Sequence, residues 1–146
     1  MLVLSGPNLA ALGSREPEVY GTLTLADVGE QVATLAGELG MGVELRQTDD
    51  EAELVGWLHE AARSGWDVVL NPAAFTHYSY AVRDACAHLV GTGSRLVEVH
   101  LSNPAARESF RHTSVVAGVA TGTIAGFGAR SYLLALQALA ALPERS

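Results

Sequence analysis

A chain of 146 residues, 49% apolar and 17% charged, is long enough to bury one substantial core and too apolar to stay disordered. Its net charge of −7 argues against a nucleic-acid partner, whose phosphates call for a basic stripe. One cysteine cannot form an internal disulfide, the opening Met1–Gly6 lacks the marks of a signal peptide, and no apolar run approaches the length of a membrane span. The expectation is a cytoplasmic globular protein, with no membrane partner, in which residues 1–146 form one domain.

Short apolar runs alternate with stretches of helical period. The first run is Leu2–Ser5. Leu25, Val28, Val32, Leu35 and Leu39 then recur at spacings of three and four, which predicts one apolar helix stripe. Thr24 with Asp27 suits its N-cap and Gly40 its stop. A second strand is predicted over Val43–Gln47, followed by a helix over 50–63 with Leu54, Trp57, Leu58 and Ala61 facing inward. A third strand, Val68–Asn71, leads to a helix over 79–90 carrying Val82, Ala85, Cys86 and Leu89. The fourth strand is Leu96–His100; a short helical turn follows from Asn103, with Pro104 at its first position. A fifth strand is read over Val119–Ala125 and a last helix over 129–142. Strands alternating with helices imply an α/β fold with a parallel sheet covered on both faces. The right-handed crossover rule favours the flavodoxin-like three-layer sandwich, with five strands in the order 2-1-3-4-5.

In such sheets ligands bind beyond the carboxyl ends of the strands. Here strand 1 runs into Ser5-Gly6-Pro7-Asn8, strand 3 into Asn71-Pro72-Ala73-Ala74-Phe75-Thr76-His77, and strand 4 into His100-Leu101-Ser102-Asn103. Helix caps and turn formers account for any one of these endings; three converging on one crevice point to a site.

The same residues carry a resemblance. Gly6-Pro7-Asn8-Leu9, Arg15-Glu16-Pro17 with Tyr20-Gly21, Asn71-Pro72, Thr76-His77, Arg83-Asp84, Glu98-Val99-His100-Leu101-Ser102-Asn103, Ala106-Arg107-Glu108 and Phe110-Arg111-His112 follow one another as do the motifs of the type II 3-dehydroquinate dehydratases. The chain resembles that family from the first strand to about Gly128. The resemblance implies dehydration of 3-dehydroquinate to 3-dehydroshikimate by anti elimination through an enolate, in the shikimate or quinate pathway. It implies a small-molecule substrate, no metal and no cofactor, and a homododecamer built of trimers.

Removing water from a β-hydroxy ketone requires a base beside the ketone, stabilisation of the enolate oxygen, and an acid for the departing hydroxyl. By resemblance Tyr20 is the base. A tyrosine is almost wholly protonated at neutral pH, so it needs a cation nearby, and Arg15 on the same loop is the candidate. That loop, with Gly13, Pro17 and Gly21, joins strand 1 to the first long helix and is placed to close as a lid. His100 is the expected acid. Glu98, two residues earlier on the strand, points to the same face and holds the imidazole in one tautomer. Asn8 resembles the asparagine that positions a water against the enolate oxygen. Asn71, the backbone at Leu101, and Ser102 are expected to receive the substrate carboxylate, and His77 and Arg111 its ring hydroxyls. Arg107 supports the pocket, and Asp84 reaches it from a neighbouring subunit.

Other residues draw no chemistry. His59 and His88 lie on predicted helices, Cys86 reads as core filling, Trp57 and Trp66 read as packing, and no zinc-ligand spacing occurs. The chain departs from the family pattern at Ser5, Ala10, Thr48, Asp49, Pro104 and Ala105. Three rivals remain at this point. A silent sensor of shikimate-type acids would share the binding residues but has no need of Tyr20, Arg15 and His100. A flavin carrier or phospho-receiver needs a phosphate loop or clustered strand-end acids. A serine hydrolase needs a Gly-x-Ser-x-Gly elbow, which is absent.

Overall fold

Continuous apolar strands with both faces buried are the signature of the middle of a parallel sheet. Leu2, Val3 and Leu4, then Val68, Val69 and Leu70, then Leu96, Val97 and Val99 are all buried. They form β1 (Leu2–Ser5), β3 (Val68–Asn71) and β4 (Leu96–His100). The computed structural model describes residues 1–14 and 16–145, and of Tyr20 the backbone alone. The partly exposed β2 (Glu44–Gln47) and β5 (Gly122–Ala125) are the edges of the five-stranded sheet. The order is β2-β1-β3-β4-β5 and every pairing is parallel, as predicted.

Side-chain alternation along the strands divides the core in two. Leu2, Leu4, Val68, Leu70 and Leu96 pack with Leu54, Leu58 and Ala61 of α3 (Glu51–Ser64) and Val82, Ala85, Cys86 and Leu89 of α4 (Tyr80–Gly91). Val3, Val69, Val97 and Val99 pack with Val28, Val32 and Ala36 of α2 (Leu25–Glu38) and Tyr132, Ala135, Leu136 and Leu139 of α5 (Arg130–Ala141). A single helical turn, α1 (Pro17–Tyr20), lies in the loop between β1 and α2. No described helix is long and apolar enough to cross a membrane.

Local chemistry sets the helix ends. The Thr24 hydroxyl accepts the Asp27 N–H at 3.1 Å while the Asp27 carboxylate accepts the Thr24 N–H at 2.9 Å, a reciprocal N-cap for α2. Gly40, at φ 69°, supplies the left-handed turn after that helix. Asp50 and Ser79 cap α3 and α4 through their side chains.

Three expectations shift. Leu39 is 37% exposed, because α2 closes at Glu38 and Ala36 takes the inward position. Trp57 is half-buried at the rim of α3, with the Arg46 guanidinium 5.6 Å from its ring centroid. The fifth strand begins at Gly122, not Val119; residues Ala117–Val119 form a 3-10 turn, and the Thr121 N–H and hydroxyl both bond to the backbone of Leu96 before the strand starts.

Candidate active site

The carboxyl edge of the sheet gathers the polar strand endings. Ser5 pairs in register with Asn71, and Leu70 with Glu98, so the first residues beyond β1, β3 and β4 share one rim. Gly6 is what lets two of these turns meet: its N–H donates to the Asn71 carbonyl at 2.8 Å, and a Cβ there would lie 2.8 Å from the Pro72 oxygen. Below this contact, Asn71, His77, His100, Leu101, Ser102, Arg107 and Arg111 line one cleft of about 410 Å3, part of it open to solvent. Seven of the predicted site residues are thus brought together. Two histidines and two arginines converge in a chain of net charge −7, so the cleft suits an anion.

His100 closes one side. Its Nε2 lies 2.6 Å from Oε2 of Glu98, which is only 1% exposed. A carboxylate at a core position is costly unless it is fully hydrogen-bonded. Here Thr76 donates its hydroxyl to Oε2, and Ser114 Oγ stands 3.0 Å from Oε1. Ser114 Oγ also accepts the N–H groups of Val116 and Ala117, at 3.2 and 2.9 Å, which commits its own proton outward. Burial works to raise the Glu98 pKa, but the bonds from His100, Thr76 and Ser114 outweigh it and hold the carboxyl below its ordinary value of 4.5. The ionised carboxylate makes Nε2 the protonated ring nitrogen and leaves Nδ1 for a ligand. Glu98, Thr76 and Ser114 also border an adjoining cavity of about 540 Å3 behind His100.

Across the cleft, His77 Nδ1 donates to the Thr113 carbonyl at 2.8 Å, which leaves Nε2 for a ligand. Asn71 is buried, and its Oδ1 accepts the Ala73 N–H at 3.1 Å. Ala73 itself holds a left-handed backbone, φ 49°. Arg107 Nη1 donates to Ser102 Oγ at 3.1 Å, so the serine proton is directed elsewhere. Arg111 pairs with Glu108 and its guanidinium carbon lies 4.7 Å from the Phe110 ring centroid.

Two predicted residues stand apart. Asn8 is exposed, in the left-handed region at φ 68°; its N–H donates to Asp49 Oδ1 at 2.9 Å and it lines neither cavity. Asp84 sits on the outer face of α4, paired with Arg83 at 2.8 Å, and also lines neither. Arg15 and the Tyr20 side chain lie outside the described residues. Among the described residues no three His, Cys, Asp or Glu side chains cluster as metal ligands. Sequence reasoning assigned nothing to Thr76 and Ser114; Thr76 stood beside His77 in a quoted motif, and Ser114 gave no signal.

Known proteins align with this geometry. The family model for class II dehydroquinases matches residues 1–140. A 3-dehydroquinate dehydratase of Salinispora tropica is 63% identical over 139 residues, covering 95% of each chain. One from Kineococcus radiotolerans is 60% identical over 140 residues, covering 96% of this chain and 94% of the relative. The crystal structure of the type II dehydroquinase from Propionibacterium acnes superimposes with a TM-score of 0.92 at 52% identity, over 96% of this chain and 94% of that one. Family model, close relatives and superimposed fold agree along nearly the whole length, and the chain belongs to the class II dehydroquinase family.

Proposed function

We propose that this chain is a hydro-lyase that converts 3-dehydroquinate to 3-dehydroshikimate by anti elimination of water through an enolate. The observation that carries the reading is the buried Glu98–His100 pair at the wall of a cationic cleft, in a chain that matches the family from 1 to 140.

The substrate carboxylate sits against Asn71, the backbone at Leu101, and Ser102, whose hydroxyl Arg107 orients through its oxygen. His77 and Arg111 take the ring hydroxyls from the opposite wall. Tyr20, as phenolate favoured by Arg15, removes the proton beside the ketone, and the electron pair passes to the carbonyl oxygen as an enolate. Asn8 holds a water against that oxygen. Collapse of the enolate expels the β-hydroxyl, which takes the proton on His100 Nδ1 and leaves as water. Glu98 serves this step by position: it fixes one proton on Nε2 and so turns Nδ1 toward the departing hydroxyl. Closure of the Arg15–Tyr20 loop as a lid excludes water and strengthens both interactions. Asp84, facing outward on its own subunit, serves the cleft of a neighbour in a dodecamer of trimers. The domain is single, spans 1–146, and works in the cytoplasm without a cofactor.

The test is absorbance of the conjugated product when purified protein meets 3-dehydroquinate in the presence of a chelator. Growth of that band is the expected result. Its absence, with folded protein, sinks the dehydratase reading.

A further inference from the structure

Thr113, Ser114 and Val115 belong to no helix or strand, and each of the three bonds a different part of the site. The Thr113 carbonyl accepts Nδ1–H of His77 at 2.8 Å, and the Val115 N–H donates to the Thr76 carbonyl at 2.7 Å. Between them the Ser114 hydroxyl turns to Glu98, the carboxylate behind His100. One strap thus ties the two histidine walls together. Ser114 is anchored in turn, because its Oγ accepts the N–H groups of Val116 and Ala117, and Val116 is fully buried in the core layer of α3 and α4. Those two bonds take the lone pairs of the hydroxyl and leave it one proton to give. Thr76 Oγ1 stands 2.7 Å away, but it is neutral and spends its own proton on Oε2 of Glu98. Ser114 Oγ lies 3.0 Å from Oε1 and 3.1 Å from Oε2 of the same carboxylate. Oε2 already meets Thr76 and His100, whereas among the described residues Oε1 meets no other donor, so the serine proton goes to Oε1.

Held at Oε1 by Ser114 and at Oε2 by Thr76, the carboxylate cannot swing about either bond, and its plane directs the His100 ring paired with it at 2.6 Å. We propose that Ser114 is a positioning residue for the acid: acting through Glu98, it fixes the carboxylate plane and with it the direction in which His100 presents Nδ1 to the departing hydroxyl. The inference deepens the dehydratase reading and rests on it, since it takes His100 to be the acid.

Ser114→Ala removes this one hydroxyl. Oε1 is then buried without a donor, and the carboxylate is held by one edge only. The strap itself stays in place, because its bonds to His77 and Thr76 are made by the backbone of Thr113 and Val115. The expected result with 3-dehydroquinate is therefore a split: kcat per binding-competent site falls about tenfold or more, and KM stays within about threefold. Sites are counted by equilibrium titration with 3-dehydroshikimate, so that loss of folded molecules drops out of the figure. A merely structural serine leaves kcat per site unchanged. Ser114→Thr keeps the hydroxyl, and the added methyl can enter the adjoining cavity of about 540 Å3; this variant is expected to recover most of the turnover that Ser114→Ala loses. On a Glu98→Gln background Ser114→Ala is expected to change kcat less than about twofold, because the residue acts through Glu98. Unchanged kcat per site in folded Ser114→Ala, no recovery with Ser114→Thr, or full additivity with Glu98→Gln overturns the proposal. If Ser114→Ala does not fold, Ser114→Cys serves instead: its thiol is a weak donor, kcat per site is expected to fall about threefold or more, and an unmoved value overturns the proposal as well. An inactive unmodified protein would overturn the dehydratase reading and this inference with it, whereas an active one whose kcat ignores the Ser114 variants overturns this inference alone.

Discussion

Glu98→Gln keeps the size of the side chain and removes its charge, and the surrounding donors determine the consequence. Three of them face the carboxylate: His100 Nε2–H, the Thr76 hydroxyl and the Ser114 hydroxyl. An amide offers one acceptor oxygen. With that oxygen toward His100 and Thr76, the NH2 meets Ser114 Oγ, whose lone pairs are taken by Val116 and Ala117. With the amide turned over, the NH2 faces both His100 Nε2 and the Thr76 hydroxyl, so the ring proton must move to Nδ1 and Thr76 must turn toward Ser114. Either way the network of donors is broken or rearranged, at a cost of about 1–3 kcal/mol. For a chain of this length that lowers the melting temperature by roughly 3–10 °C. The depressed Glu98 pKa sets the sign of the pH dependence. Stability from its ionisation is complete above the unfolded value near 4.5 and is lost as pH falls through the lower folded value. The gap between the two proteins should therefore be widest at neutral pH and narrow below pH 4.5, which thermal melts at a series of pH values measure. Turnover of 3-dehydroquinate should fall about 100-fold or more, the usual worth of a general acid, because the carboxylate that fixes the orientation of the His100 imidazole is gone. Equal melting temperatures at neutral pH, a gap unchanged down to the acid transition, or full turnover would refute this account of the site.

Three further outcomes are expected. Tyr20→Phe should keep the fold and bind substrate in an equilibrium assay while losing about 100-fold or more in turnover; retained activity removes Tyr20 as the base. Gly6→Ala places a Cβ 2.8 Å from the Pro72 oxygen, so the turns after β1 and β3 must part, at about 1–3 kcal/mol in thermal or denaturant unfolding, with weaker substrate binding; unchanged stability would show that the contact yields freely. Ala73→Gly relieves a left-handed backbone that costs an L-residue about 1–2 kcal/mol, against about 1 kcal/mol for the extra freedom of glycine when unfolded. Its melting temperature should stay level or rise, and a fall of more than about 4 °C would contradict the strain reading.

The central strands were legible because both of their faces are buried: Leu2-Val3-Leu4 and Val68-Val69-Leu70 admit no amphipathic alternative. The cap Thr24 was legible because it acts within three residues of itself. The start of β5 was not, since Val119 continues an apolar run and only the contact of Thr121 with Leu96, 25 residues away, decides where the strand begins. The same distance rule governs the site. Glu98 and His100 announce each other at a spacing of two on one strand. Thr76 and Ser114 lie 22 and 16 residues from Glu98, and their hydroxyls gain meaning only once the sheet brings them to it. Tyr132 drew no reading of its own within the last helix; its partner Ser5 is 127 residues away.

Strand parity explains why the cleft has two differently built walls. Ser5 and Asn71 follow Val3 and Val69 on the face covered by α2 and α5, and there Ser5 meets Tyr132. Glu98 and His100 follow Leu96 on the face covered by α3 and α4, where Thr76 and Ser114 receive them. Each layer of the core thus sends one buried polar network to the same rim. The network behind His100 is anionic, and the Ser5–Tyr132 pair and the Asn71 amide are neutral. The division suits the proposed chemistry. A carboxylate behind His100 orients its ring, while a second buried carboxylate behind Asn71 would repel the substrate's own. Neutral groups there receive the anion without setting up that repulsion.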